Sequence, residues 1–308
     1  MTAPDGAAYR AGFACLVGRP NAGKSTLTNA LVGAKVAITS AKPQTTRHAV
    51  RGIATTDHDQ LVIVDTPGLH RPRTLLGERL NDLVRATLLD VDVVGFCLPS
   101  DQRVGPGDQF IATELQHLRA AKRRPVVAIA TKSDLVGRDR LAEHLVAIDA
   151  LGEWEAIVPC SATSGEQVER VRDLLVGYLP ESPPLYPADV LTDEPDMVTI
   201  AELVREAALE GVRDELPHSL AVVVEEVLPR AGRPADDPLV DVRVDLFVER
   251  DSQKAIVIGR GGTRLREVGS RARVGIERLL ESKVYLDLHV KVAKDWQRDP
   301  KALGRLGF

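Results

Sequence analysis

The stretch GFACLVGRPNAGKSTLTNAL, residues 12–31, constrains the chain more than any other: an apolar run enters a glycine-bounded loop and leaves as a helix. Gly18, Gly23, Lys24 and Ser25 fit the spacing G-x-x-x-x-G-K-[ST], with residues 13–17 patterned as a buried strand and 26–31 as a helix. Glycines let successive N–H groups turn onto phosphate oxygens, and the helix N-terminus adds its partial positive charge. The loop is a phosphate site in which Lys24 reaches the β- and γ-phosphates and the Ser25 hydroxyl is a Mg²⁺ ligand.

The order of elements after this loop predicts how its sheet is built. Residues 33–49 carry no sustained period and hold two adjacent threonines, Thr45 and Thr46, so they read as a loop able to fold over phosphates. Strand patterns at 50–55 and 60–64 form a hairpin, and the second ends in Asp65-Thr66-Pro67-Gly68. There a carboxylate at a strand end can hold Mg²⁺ through water, and the Gly68 N–H can meet a γ-phosphate. Helices at 77–90, 108–121, 140–151 and 166–179 alternate with strands at 91–98, 125–130 and 156–158. The chain to residue 180 is thus predicted as a doubly wound, mostly parallel α/β sheet with one antiparallel strand.

Two short motifs fall at the ligand edge of that sheet. In Thr131-Lys132-Ser133-Asp134 the aspartate can accept hydrogen bonds from N1 and N2 of guanine, which adenine cannot supply; it can equally serve as a helix N-cap. Ser161, Ala162 and Thr163 form a turn whose backbone N–H groups suit the guanine carbonyl.

The second half is of another kind. Residues 180–195 hold five prolines and no period, a semi-rigid linker at 181–196. A second domain at 197–308 opens with a helix at 197–216 and strands at 219–228 and 240–248. It continues through Gly259-Arg260-Gly261-Gly262 into a basic helix carrying Arg264, Arg266, Arg271 and Arg273, and a strand at 283–292. Glycines between two helices bring backbone close to a nucleic-acid strand, and Arg260 adds charge at the apex. The arginines read either as RNA ligands or as a solvated helix face. Trp296 reads as packing for a terminal segment, with base stacking as its alternative.

Composition sharpens the contrast. The chain of 308 residues carries a net charge of −4, yet from Gly259 to its end twelve Lys or Arg stand against six Asp or Glu. That basic segment favours RNA over a solvated face. No run approaches the length of apolar residues that a membrane span needs, and the N-terminus lacks a secretory pattern, so a soluble intracellular protein is expected. Cys15, Cys97 and Cys160 sit in or beside strand-like runs and read as small buried residues.

Taken together, GRPNAGKS, a threonine loop, DTPG, TKSD and SAT in this order resemble a translation-factor-class GTPase, and GRPNAGKS with KPQTTRH most resembles the Era family of ribosome-associated GTPases. The resemblance covers the whole chain. It implies a P-loop GTPase domain followed by a smaller α+β KH domain of type II, binding GTP or GDP with Mg²⁺. By it, Gly18, Asn21, Ala22, Gly23, Lys24, Ser25, Thr26, Asp65, Gly68, Thr131, Lys132, Asp134, Ser161, Ala162 and Thr163 hold the nucleotide. Ser25, Thr46 and Asp65 hold the metal, with Thr45 as the alternative switch threonine. Lys24, Thr46, Gly68 and Asn21 serve hydrolysis, Asn21 through a K⁺ ion. Gly259, Arg260, Gly261, Gly262 and the four arginines bind RNA. The implied partners are 16S ribosomal RNA and the 30S subunit during its assembly, in the cytoplasm; a peripheral contact at the inner face of the membrane is admitted.

Two departures stand out. Thr131 replaces the usual Asn of the guanine motif, and Leu69 follows DTPG where a Ras-like switch carries a water-orienting glutamine. Two rivals are an RNA-binding scaffold with a nucleotide it never turns over, and a metabolic P-loop kinase; TKSD and SAT argue against the kinase.

Overall fold

The computed structural model describes residues 8–40, 45–72, 74–122, 124–210, 219–234 and 237–308. Part of the threonine loop, 41–44, and the end of the helix expected to 216 lie outside the described residues. Contacts divide the chain into two compact units, Met1–Pro72 with Leu80–Asp193 and Arg73–Arg79 with Glu194–Phe308.

The first unit runs β1 (Arg10–Val17), α1 (Lys24–Val32), β2 (Val50–Thr55), β3 (Asp59–Asp65), α2 (Leu75–Asp90, whose residues up to Arg79 count with the second unit), β4 (Val93–Pro99), α3 (Pro106–Lys122), β5 (Val126–Thr131), α4 (Arg138–Asp149), β6 (Ala156–Cys160) and α5 (Val168–Gly177). Its six strands lie in the order β2-β3-β1-β4-β5-β6, with β2 antiparallel and every other pairing parallel. Side chains alternate across this sheet, so Ala14 and Leu16 face Leu27 and Val171, whereas Cys15 and Val17 face Val84, Ile111 and Ile148. Both faces are covered, which is why the central strands read as continuous apolar runs. The strand order reverses beside β1, between β3 and β4, and such a switch point opens a crevice at the strand C-termini.

The proline-rich segment, expected as a semi-rigid linker, is bound along the first unit. Its residues up to Asp193 count with the first unit. The buried Gln60 side chain accepts the Leu185 and Tyr186 N–H groups at 2.7 and 2.9 Å and donates to Tyr186 O, while Ile53 N–H donates to Leu191 O. One amide side chain thus stands in for a strand neighbour, strapping the segment along the sheet.

The second unit contains α6 (Asp196–Leu209), β7 (Ala221–Pro229), β8 (Leu239–Val248), α7 (Asp251–Ile258), α8 (Thr263–Leu279), β9 (Lys283–Val292) and α9 (Pro300–Arg305). Its sheet has the order β7-β8-β9, the first pair antiparallel and the second parallel. Ile200 and Val204 of α6, Val257 of α7 and Val268, Ala272 and Ile276 of α8 close on Val244 and Leu246. Truncating a fully buried side chain such as Ile276 to Ala would cost about 2–5 kcal/mol. Trp296 is wholly buried, donates from Nε1 to Ser219 O at 2.9 Å and stacks on Phe308, so base stacking is excluded for it.

Candidate functional site

The phosphate loop leaves β1 at the switch point. Asn21 and Gly23 adopt left-handed backbone (φ 62° and 84°), and no side chain caps the N-terminus of α1, which leaves its first N–H groups directed at the loop. Lys24 is buried and donates from Nζ to Gly18 O and Arg19 O at 3.3 and 3.1 Å. Burial lowers its pKa while the Asp65 carboxylate pushes the other way. Neighbours hold the loop in place: Arg19 pairs with the buried Asp108 at 2.7 Å, and Leu69 N–H donates to Gly18 O at 3.2 Å.

Three oxygens converge beside this loop. Ser25 Oγ donates to Asp65 Oδ2 at 2.6 Å, and Thr46 Oγ1 lies 3.0 Å from Ser25 Oγ and 3.2 Å from the same carboxylate oxygen. Two hydroxyls and a fully buried carboxylate are hard oxygen donors, so the residues present fit Mg²⁺. Among the described residues no cluster of three or more His, Cys, Asp or Glu forms a second metal site. Gly68 passes so close to the loop that a Cβ there would stand 2.6 Å from Pro20 N, hence the need for glycine. Leu69 is buried among Val84 and its neighbours, away from any role in orienting water.

A cavity of about 260 Å³ continues from Gly23 and Thr26 to Thr131, Asp134, Ala162 and Thr163. Asp134 is exposed on a single 3-10 turn, and Lys132, left-handed at φ 57°, pairs with Asp101 at 3.2 Å. Thr131 does more than its lone hydroxyl suggests, because Oγ1 donates to Ala22 O at 2.7 Å and ties this motif to the phosphate loop. Ser161 corrects an expectation: its N–H already donates to Glu166 O, so it shapes the turn while Ala162 and Thr163 line the cavity. Sequence reasoning missed Leu27, Leu135 and Cys160, which also line it. Leu135, an apolar residue 60% exposed just past the aspartate, carried the one legible signal. Burial pushes the Cys160 thiol up to about 11, leaving it an inert wall.

In the second unit Gly259, Gly261 and Gly262 all have positive φ (72°, 58° and 76°). A Cβ on Gly259 would lie 2.7 Å from Arg264 Cβ, whereas Gly261 and Gly262 face open space. Arg260 is exposed at the apex. The four arginines of α8 part into two pairs, each seven residues apart and so on one helix face. Arg266 and Arg273 rim a groove of about 440 Å³ between α8 and β9, floored by Leu265, Gly269, Leu286 and Leu288. Arg266 also braces the glycine turn, donating to Gly261 O at 2.9 Å. Arg264 instead donates to Ala208 O at the end of α6, and Arg271 pairs with Glu210. That second pair braces the end of α6 against α8, and Arg271 stays exposed while it does so. The groove residues of β9, Tyr285 among them, went unread in the sequence because strand alternation looks the same in a core.

Comparison with known proteins agrees with both units. A family profile described as a 50S ribosome-binding GTPase matches residues 13–132, and a KH domain profile matches residues 215–297. GTPase Era of Streptomyces coelicolor is 65% identical over 305 residues, covering 97% of this chain and 95% of the relative; GTPase Era of a Nocardioides species is 64% identical over 306. Among solved structures, Era in complex with MgGDPNP and nucleotides 1506–1542 of 16S ribosomal RNA matches with a TM-score of 0.90 at 35% identity, over 97% of this chain and 99% of that one. A single-substitution variant of Aquifex aeolicus Era bound to GDP.AlF4⁻ matches with the same TM-score, identity and coverage. Identity at this level, sustained through both units and nearly the full length of each relative, means that the chain belongs to the Era family of GTPases.

Proposed function

We propose that this chain is a GTP-driven switch that binds the 3′ region of 16S ribosomal RNA in the groove of its KH domain and assists assembly of the small ribosomal subunit. It would work in the cytoplasm, on the ribosomal particle. The observation that carries the nucleotide half is the continuous path from phosphate loop to base cavity, with Thr131 bonded to Ala22 where the two meet. The RNA half rests on the glycine turn and the arginine-rimmed groove beside it, together with the RNA held by the similar solved Era.

In this reading Gly18 to Thr26 cradle the phosphates, with the free N–H groups of α1 and the Lys24 amine meeting their charge. Moving from carbonyl partners to phosphate oxygens would stabilise the buried Lys24 cation. Ser25 and Thr46 would hold Mg²⁺, with Asp65 acting through water, and the metal would supply charge neutralisation at the β- and γ-phosphates. The Gly68 N–H orients the γ-phosphate. Loss of that phosphate would release the loops at Thr46 and Gly68, the switch step. Asp134 accepts from N1 and N2 of guanine, and Ala162 and Thr163 meet its carbonyl. The G domain spans residues 1–180 and the KH domain 197–308.

Asp134→Asn tests the base assignment. It replaces an acceptor pair by one acceptor and one donor, so GTP should weaken by about 1.5–3 kcal/mol, one to two decades, and xanthosine triphosphate should gain. Equilibrium binding of both nucleotides reads the result, and unchanged affinities would mean the base lies elsewhere. Release of GDP and phosphate from GTP by the parent protein separates the switch from a scaffold that never turns its nucleotide over.

A further inference from the structure

Thr131 presents a hydroxyl whose single proton is already committed. The side chain sits at the C-terminal end of β5, 4% exposed, and Oγ1 donates to Ala22 O at 2.7 Å. A hydroxyl has one proton and two lone pairs, so toward any further partner Thr131 Oγ1 can only accept. An asparagine at this place would carry two N–H donors, one for Ala22 O and one to spare.

The spare donor matters because of which edge of the base would face it. Resting on the guanine reading of the cavity, N1 and N2 lie on Asp134 and O6 turns toward Ala162 and Thr163. The sugar-linked end points to the phosphate loop. The edge left for the end of β5, between the loop and Asp134, carries N7, which is an acceptor. Two acceptors form no hydrogen bond.

We infer that this chain recognises guanine nucleotides without a Thr131 hydrogen bond to N7: Thr131 spends its donor on tying the base cavity to the phosphate loop, and so sets a base selectivity indifferent to the purine N7. The ligand class it accepts therefore extends to guanosine triphosphates altered at that atom. In 7-deaza-GTP, a C–H replaces N7 and leaves every atom read by Asp134 intact.

Competition binding with the full chain and Mg²⁺ against GTP, 7-deaza-GTP and ATP tests this. The parent should bind 7-deaza-GTP within about twofold of GTP. Thr131→Asn should restore a preference for GTP of about three- to tenfold, the worth of one neutral hydrogen bond. Thr131→Val, which removes the tie to Ala22 but keeps the shape, should weaken GTP and 7-deaza-GTP by the same factor. A parent that prefers GTP over 7-deaza-GTP by more than about threefold overturns the inference even if no variant folds; so does a folded Thr131→Asn whose ratio stays at the parent's. Failure to prefer GTP over ATP would instead sink the guanine reading on which it rests.

Discussion

At the scale of single residues, hydrolysis in this chain lacks the side chain that Ras-like switches use to orient water, since Leu69 is buried and apolar. Asn21 would offer another means. Its left-handed backbone at φ 62° sets it in the phosphate loop, and its neutral amide oxygen is a hard donor that suits a monovalent cation. A K⁺ ion there would add positive charge beside the phosphates, where an arginine finger is worth about 10³–10⁵ in rate. GTP turnover should therefore fall by at least about tenfold when Na⁺ replaces K⁺, and Asn21→Ala should remove the difference. Equal single-turnover rates in the two salts would end the potassium proposal and leave the nucleotide site as described.

Among elements, α8 is the most divided, with one face packed and two arginine pairs on its flanks. Arg273→Ala should weaken binding of a single-stranded 16S 3′ fragment, whereas Arg271→Ala should leave RNA affinity alone and lower thermal stability slightly, because its partner is Glu210. The glycine turn belongs to the same comparison. A side chain at Gly261 meets open space, and aspartate tolerates its φ of 58° better than most residues. Gly261→Asp should fold, yet repel RNA phosphates and cost at least about tenfold in affinity, ~1.4 kcal/mol. With three to five phosphates contacted, log K should fall with log salt at a slope of about −2 to −3.5. Filter binding across a salt series, with Arg260→Ala run in parallel, reads all of this. RNA affinity unchanged in folded Gly261→Asp, Arg260→Ala and Arg273→Ala would remove RNA from this groove.

For the whole molecule, each unit has a core of its own: two apolar clusters on the faces of the six-stranded sheet, and one beneath the three-stranded sheet. A ligand that binds only the native first unit stabilises that unit alone. At one hundred times its Kd, Mg·GTP should add about 2.7 kcal/mol, a rise of about 5–10 °C for a unit of this size. Calorimetry should thus resolve two transitions, with nucleotide moving one and the 16S fragment moving the other. A single transition shifted equally by both ligands would show that the units unfold as one.

Local chemistry was legible from residue order alone. The phosphate loop, DTPG and the GRGG turn depend on backbone conformations that few residues permit, so their glycines and their place between strand and helix announce them. The strand at 283–292 was legible for a similar reason, since a period of two is a property of neighbours in the chain, and the strand before Asp65 announced itself as a continuous apolar run. Only the tertiary structure decided the rest. That Thr131 reaches Ala22, across 109 residues, depends on β5 and β1 both ending at one edge of the sheet. That Arg264 and Arg271 serve α6 while Arg266 and Arg273 face a groove depends on which element covers each side of α8. That the proline-rich linker lies along the first unit depends on Gln60, far away in sequence, which supplies its hydrogen bonds. Periodicity shows that a helix has an apolar face; what its charged faces touch is set by chain segments that meet only once the core has closed.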